Sequence, residues 1–136
     1  MSRPRLLVNI DVGELAVAER FYCAALGLTA GRRFDGAVEL LGLDAPLYLL
    51  AKAPGTPTAP SPAATRDYRR HWTPVHLDFV VENLEAAVGR ARGAGAALEK
   101  DIALHDWGRI ALLADPFGNG FCLVEFSDRG YDAIGL

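Results

Sequence analysis

The sequence predicts an α+β fold made of two β-α-β-β-β modules in tandem. Twice along the chain, the apolar residues change from the period-two spacing of a half-buried strand to the three-and-four spacing of a helix. A shift of 69 residues lays residues 7–18 on residues 76–87, which indicates an internal duplication. We therefore expect modules at residues 1–52 and 75–136, joined by a proline-rich linker at 53–74, which together form one domain.

The first module is predicted to contain one helix and four strands. Residues 6–12 alternate apolar and polar side chains, as a strand with one covered face does. A helical apolar stripe begins after Glu14 and ends at Gly27, a residue typical of a helix C-terminus. The next three predicted strands are residues 28–34, 37–42 and 46–51.

The second module repeats this order. Residues 75–81 form its predicted first strand, and Asn83 is a suitable cap for the helix that follows. Strands are predicted at residues 97–104 and 109–114, and the stretch up to Phe126 closes the module. Between these last two strands, the Asp, Pro and Gly of residues 115–118 stand at their preferred positions for a type I turn.

Composition excludes several classes of protein. The chain has 14 basic and 17 acidic residues and a net charge of -3, which gives no electrostatic reason to expect nucleic acid or an anionic membrane as partner. The pairs Arg32-Arg33 and Arg69-Arg70 are interpreted as solvated loops, not phosphate sites. Two cysteines without CxxC spacing indicate reduced thiols, and the absence of a long apolar stretch predicts a cytoplasmic protein.

Two motifs resemble those of the vicinal oxygen chelate superfamily, which includes glyoxalase I, bleomycin-resistance proteins, fosfomycin-resistance transferases and extradiol dioxygenases. They are FYxxxLGL at residues 21–28 and DPxGN at residues 115–119, and the ending DPxGNxFCLV is most similar to small glyoxalase-like members. The resemblance implies two curved sheets around a cleft, with metal ligands on the first and last strand of each module where a metal is bound. It also implies a homodimer as the common assembly.

The ligand positions of the superfamily are poorly filled in this sequence. The first-strand positions of the two modules fall on Leu7 and His76. The last-strand position of the second module falls on Cys122. The matching strand of the first module has Tyr48 as its polar side chain. One imidazole and one thiol do not supply the near-octahedral donor set of the superfamily's metal. We therefore expect no such metal and no cofactor. Glu125 is expected on the opposite face unless a bulge shifts it.

Strand alternation nevertheless predicts a polar group in an apolar cleft. Its expected ligand-binding members are Asn9, Asp11, His76, Asp78 and Cys122, with His105 and Trp107 at the rim. His76 and Asp78 on one face are compatible with acid–base catalysis. The alternative is that these groups only satisfy each other's hydrogen-bonding needs inside the domain. We interpret Cys122 as a small buried hydrophobic residue rather than as a nucleophile. Trp107 is expected either to stack on a ligand or to anchor its loop.

Three functions follow from this prediction. The first is a metal-free protein of the bleomycin-resistance kind that binds or sequesters a small organic molecule. The second is an enzyme: a metal-dependent lyase, isomerase or dioxygenase, or a metal-free acid–base catalyst that uses His76 and Asp78. The third is a non-catalytic interaction domain, which we expect if the cleft is filled by its own side chains. The missing metal ligands favour the first.

Overall fold

The computed structural model of the chain describes residues 3–59 and 64–136. Its contacts divide the chain into two units, Met1–Tyr68 and Arg69–Leu136. Within the described residues, each unit has one mixed four-stranded sheet and one α-helix, and the strand order has the same pattern in both units. The predicted α+β fold of two tandem modules is therefore confirmed. In the predicted linker, Pro57 and Thr65 form an isolated antiparallel bridge, and residues 60–63 lie outside the described part.

The first unit covers one face of its sheet with its helix. Its elements are β1 (Val8–Val12), α1 (Leu15–Leu26), β2 (Thr29–Phe34), β3 (Ala37–Leu41) and β4 (Leu47–Ala51), and the strand order is β1-β4-β3-β2. The pair β1–β4 is parallel and the other two pairs are antiparallel. The core beneath α1 includes Val38, Leu40 and Leu49, all completely buried, because alternate residues of β3 and β4 point to the same face.

The second unit repeats this arrangement. Its elements are β5 (Leu77–Val80), α2 (Leu84–Ala94), β6 (Ala97–His105), β7 (Gly108–Ala114), β8 (Gly120–Phe126) and a short 3-10 helix (Gly130–Ala133). The strand order is β5-β8-β7-β6, with β5 and β8 parallel. Leu113 and Leu123 are completely buried in this unit, and α2 packs against β6, β7 and β8.

The predicted helix ends agree with the structure. Gly27 ends α1 with φ of 69°, a left-handed conformation that a glycine adopts without steric penalty. Asn83 caps α2, because its side-chain oxygen accepts a hydrogen bond from the backbone N–H of Ala86 at 3.1 Å.

One local prediction was wrong, and one predicted strand is shorter than expected. The strand expected at residues 75–81 is shorter, so His76 lies immediately before β5. Arg32 and Arg33 lie in β2 and not in a loop, where they form ion pairs with Glu39 and Glu19. Alternation within the strand sends the two guanidinium groups to opposite faces, and each meets a carboxylate there.

Within the described ranges, no helix is long and apolar enough to cross a membrane.

Candidate functional site

The sheet of the second unit has one face toward α2 and one face away from it, which we call the distal face. Strand pairing places Asp78 opposite Cys122 across β5 and β8, and Leu112 opposite Cys122 across β8 and β7. Directly paired residues point to the same face of a sheet. Asp78, Cys122 and Leu112 therefore lie side by side on the distal face.

His76, Asp78 and Cys122 form a compact cluster on this face. One potential ligand atom from each residue lies within 4.8 Å of the other two. The Nε2 atom of His76 is 3.4 Å from Oδ1 of Asp78, and their side chains are 61% and 36% exposed. Cys122 is only 8% exposed, so it forms the buried end of the cluster. The structure thus brings together three of the predicted site residues.

The surroundings of the Cys122 thiol favour its protonated form. Burial raises the pKa of the Cys122 thiol to about 11, and the Asp78 carboxylate adds to this rise through its negative charge and by accepting the S–H hydrogen bond. A thiol with such a pKa is a weak nucleophile at neutral pH, because the thiolate is the reactive form. This result favours a packing or ligand-binding role for Cys122 over nucleophilic catalysis.

Next to this cluster the distal face forms a shallow hollow of about 200 Å³. Its lining combines apolar side chains with the polar groups of Lys100 and His105. Its lining residues are Lys100, Ala103, His105, Ile110, Leu112 and Cys122. Apolar surface with a few convergent polar groups is typical of small-molecule sites. Cys122 joins the hollow to the cluster, since it belongs to both.

His105 is the last residue of β6, and Trp107 lies in the turn between β6 and β7. Their rings are stacked, with centroids 5.0 Å apart and planes 3° from parallel. Trp107 also packs against Phe126 and Tyr131, at centroid distances of 6.2 Å and 5.4 Å, and its carbonyl accepts a hydrogen bond from the backbone of Ser127. Trp107 therefore anchors the turn against the C-terminal segment, while His105 lines the hollow.

Asn9 and Asp11 belong to the first unit. The Oδ2 atom of Asp11 accepts a hydrogen bond from Nε of Arg66 at 2.7 Å, in an ion pair whose guanidinium side is only 16% exposed. Asn9 is exposed and is paired with Tyr48 across β1 and β4. The structure thus gives Asp11 a structural partner within its own unit.

A polar network in the first unit was missed by the sequence analysis. The carboxylate of Glu39, 5% exposed, accepts hydrogen bonds from the backbone N–H, Nε and Nη2 of Arg32 and from the hydroxyl of Tyr48. Hydrogen bonds from the Arg32 side chain, then from its backbone and from Tyr48, lower the pKa of Glu39 to about 2. Alternation along residues 37–41 could have placed Glu39 on the other face of the strand from the buried apolar residues. Its partner, however, becomes evident only from the pairing of β2 with β3.

Glu125 lies on the face toward α2 and not on the distal face. Its Oε1 atom accepts a hydrogen bond from the backbone N–H of Leu84 at 3.2 Å, and its Oε2 atom accepts from Nη2 of Arg109 at 2.6 Å. Arg109 also binds Glu85, in the first turn of α2. The carboxylate of Glu125 therefore holds the N-terminus of α2, where the helix dipole favours a negative charge.

A family model described as a glyoxalase-like domain matches residues 7–124. The chain belongs to this glyoxalase-like family. It is 33% identical over 126 residues to the anthracycline biosynthesis protein DnrV of Streptomyces peucetius, covering 93% of this chain and 42% of that protein. This glyoxalase-like chain thus spans less than half the length of that relative.

Solved structures show the same fold. A glyoxalase/bleomycin resistance protein/dioxygenase family enzyme from Burkholderia phytofirmans PsJN superimposes with a TM-score of 0.69 at 19% identity, covering 89% of this chain and 97% of that one. The fosfomycin resistance protein FosX from Listeria monocytogenes gives a TM-score of 0.71 at 12% identity, covering 95% and 98%. The predicted resemblance to the vicinal oxygen chelate superfamily is confirmed.

The metal set implied by that superfamily does not fit the glyoxalase-like chain. Leu7 is exposed and has no ligand atom, and the hydroxyl of Tyr48 is hydrogen-bonded to Glu39 and Arg32. The first unit therefore supplies no ligand at the expected positions, whereas the second unit has His76 and Cys122.

Most of the hollow was not predicted from the sequence. Ile110 and Leu112 could have been found, because alternation in β7 and pairing with Cys122 place them on the distal face. Lys100, Ala103 and His105 could not, because they are three and then two residues apart along β6. The irregular pairing at Leu98–Lys100 and Lys100–Ala103 produces this spacing, and no residue pattern in the sequence signals it.

Proposed function

We propose that this glyoxalase-like chain binds a small, planar organic molecule in the hollow on the distal face of its second sheet. The observation that carries the proposal is the hollow itself, in which Ala103, Ile110 and Leu112 supply apolar lining and Lys100 and His105 supply polar groups. A flat apolar sheet face offers contact area to an aromatic ring system, and the ammonium of Lys100 offers a partner for an acidic or phenolic oxygen.

The likeness to an anthracycline biosynthesis protein supports a ligand class. Because the sequences are 33% identical across 93% of this chain, we propose that the ligand is a polycyclic aromatic compound of the anthracycline kind. The hollow is small and open, so it would hold part of such a molecule and leave the rest outside.

Titration of the protein into doxorubicin, an anthracycline, tests this proposal through the ligand's own fluorescence. We expect a saturable change in anisotropy with the wild-type protein. In Leu112→Arg, a charged side chain replaces part of the apolar lining, and we expect the affinity to fall about tenfold or more. Leu104→Arg is the matched control, since Leu104 is 78% exposed and is not part of the hollow.

The outcomes separate the ligand from the site. No saturable change with the wild-type protein would contradict an anthracycline ligand. Equal affinity of Leu112→Arg and Leu104→Arg would contradict binding in the hollow. Circular dichroism of both variants checks that a lost signal does not reflect unfolding.

Acid–base catalysis is a second candidate, favoured by the 3.4 Å contact between His76 and Asp78 next to the hollow. A catalyst would convert the compound into a product that chromatography with mass spectrometry separates from it, isomers included, and His76→Gln would abolish that conversion. Recovery of the unchanged compound as a single species would leave binding as the function. The homodimer and the cytoplasmic location stay predictions.

A further inference from the structure

The cluster of His76, Asp78 and Cys122 has the composition of a metal site in a single module. Its three side chains supply an imidazole nitrogen, a carboxylate oxygen and a sulfur, all within 4.8 Å of one another. The paired positions of Asp78 and Cys122 on β5 and β8 fix two of the three on the same face. His76 immediately precedes β5 and approaches Asp78 to 3.4 Å.

This donor set selects among metal ions. Magnesium and calcium take oxygen ligands, so a site with sulfur and nitrogen does not suit them. Zinc binds all three donor types at about 2.0–2.3 Å, in tetrahedral geometry, and many zinc sites use three protein ligands with the fourth position open. Sulfur ligands also favour zinc over the harder ions.

The cluster differs from the superfamily's metal set in two respects. The superfamily takes ligands from both modules, whereas these three residues all belong to the second unit. Asp78 stands outside the superfamily's ligand positions, and it becomes a third donor only because β5–β8 pairing places it opposite Cys122. The prediction that no metal is bound considered only the imidazole of His76 and the thiol of Cys122, and the carboxylate of Asp78 is a third donor beside them.

Exposure leaves the cluster open to an entering ion. The side chains of His76 and Asp78 are 61% and 36% exposed, and rotation about their bonds can shorten the 4.8 Å span to the ligand separations of a zinc site. Cys122 is buried at 8% exposure, so the sulfur end is fixed by the sheet. The fourth position would lie beside the hollow, because Cys122 also lines that hollow.

We propose that His76, Asp78 and Cys122 form a three-residue binding site for a zinc-type divalent ion. The site does not depend on the proposed organic ligand, because the three side chains supply the donors by themselves. Failure of doxorubicin to bind would therefore leave this proposal unaffected.

Cobalt(II) titration of chelator-treated, reduced protein tests the site without any activity assay. Binding of Co²⁺ through a thiolate gives a sulfur-to-cobalt charge-transfer absorption in the near ultraviolet, together with visible bands that report coordination geometry. We expect both to saturate at one equivalent of Co²⁺ and to be displaced by Zn²⁺. Cys122→Ser is expected to abolish the charge-transfer band, while Cys23→Ser, which changes the other free cysteine, keeps it.

Two exposed positions keep the test decisive if Cys122→Ser folds poorly. Asp78→Asn and His76→Gln alter exposed side chains, and each should weaken Co²⁺ binding about tenfold or more, because each removes one of three ligands. Absence of a charge-transfer band in the wild-type protein would overturn the proposal. So would a band that persists in Cys122→Ser or disappears in Cys23→Ser, or affinities unchanged by both Asp78→Asn and His76→Gln.

Discussion

Asp115 organises the turn between β7 and β8 through its side chain. Its Oδ1 atom accepts hydrogen bonds from the backbone N–H groups of Phe117 and Asn119, at 2.7 Å and 3.0 Å, and its Oδ2 atom accepts from the Asn119 side chain. The residue is 5% exposed, so these donors could not easily find water instead. The Asp of the DPxGN motif is therefore a structural residue, which explains why the motif identifies a fold and not a reaction.

Replacing Asp115 tests this role. Asp115→Ala leaves buried N–H donors without their acceptor, and we expect the free energy of unfolding to fall by about 1–3 kcal/mol or more. Urea denaturation measures the change. Asp106→Ala is the control, because Asp106 is exposed in another turn, and its effect should stay within about 0.5 kcal/mol. Equal losses in the two variants would contradict a special role for Asp115.

At the scale of single residues, the sequence predicted on which face of a sheet a side chain lies better than it predicted the hydrogen-bond partner of that side chain. Alternation correctly put Asp78 and Cys122 on one face and Glu125 on the other. It could not predict that Arg32 would bind Glu39, because that contact depends on how β2 pairs with β3, where the pairing is irregular. The charged network in the first unit was missed for this reason.

The two helices begin in different ways. Asn83 caps α2 with its side chain, whereas Glu14 precedes α1 and, among the described residues, makes no side-chain cap hydrogen bond. The start of α2 could therefore be predicted from a single capping residue. The start of α1 could be predicted only from the helical spacing of its apolar residues. Glu125 and Glu85 add negative charge at the N-terminus of α2.

Substitution of the cap should weaken α2 selectively. Asn83→Ala removes the acceptor for the Ala86 N–H, and we expect a loss of about 1 kcal/mol in the free energy of unfolding. Asn83→Asp keeps an oxygen acceptor and serves as the matched control, with stability close to wild type. Chemical denaturation of both variants measures the difference. A loss of similar size in Asn83→Asp would show that the cap hydrogen bond is not the cause.

At the scale of the whole molecule, duplication was predictable because one pattern occurs twice. The first residues of α1 and α2, Leu15 and Leu84, are 69 positions apart, as the sequence shift requires. The correspondence does not extend to function. The second unit carries the His76 cluster and the hollow, while the first unit has a closed network around Glu39. The equivalence of Leu7 with His76 already indicated this divergence.

Lowered carboxyl pKa values predict how the molecule responds to acid. Hydrogen bonds from Arg109 to Glu85, and from Arg32 to Glu39, lower the pKa of each carboxyl to about 2, and Arg33 lowers the pKa of Glu19. Each folded-state pKa lies below the ordinary value of 4.5. The unfolded chain therefore binds more protons than the folded chain at pH values between the two. The stabilisation is fully present above about pH 5 and is lost as the pH falls toward about 2.

Glu39 should dominate this acid response. Its side chain is 7% exposed, whereas that of Glu85 is 63% exposed and its ion pair is weakened by solvent. We expect the urea midpoint of the wild-type protein to fall steadily from about pH 5 to pH 2, and Glu39→Gln to have a lower midpoint at neutral pH and a shallower fall. Glu82→Gln, at an exposed position before α2, is the control and should keep the wild-type slope. A slope that Glu39→Gln leaves unchanged would show that the Arg32–Glu39–Tyr48 network does not govern acid stability.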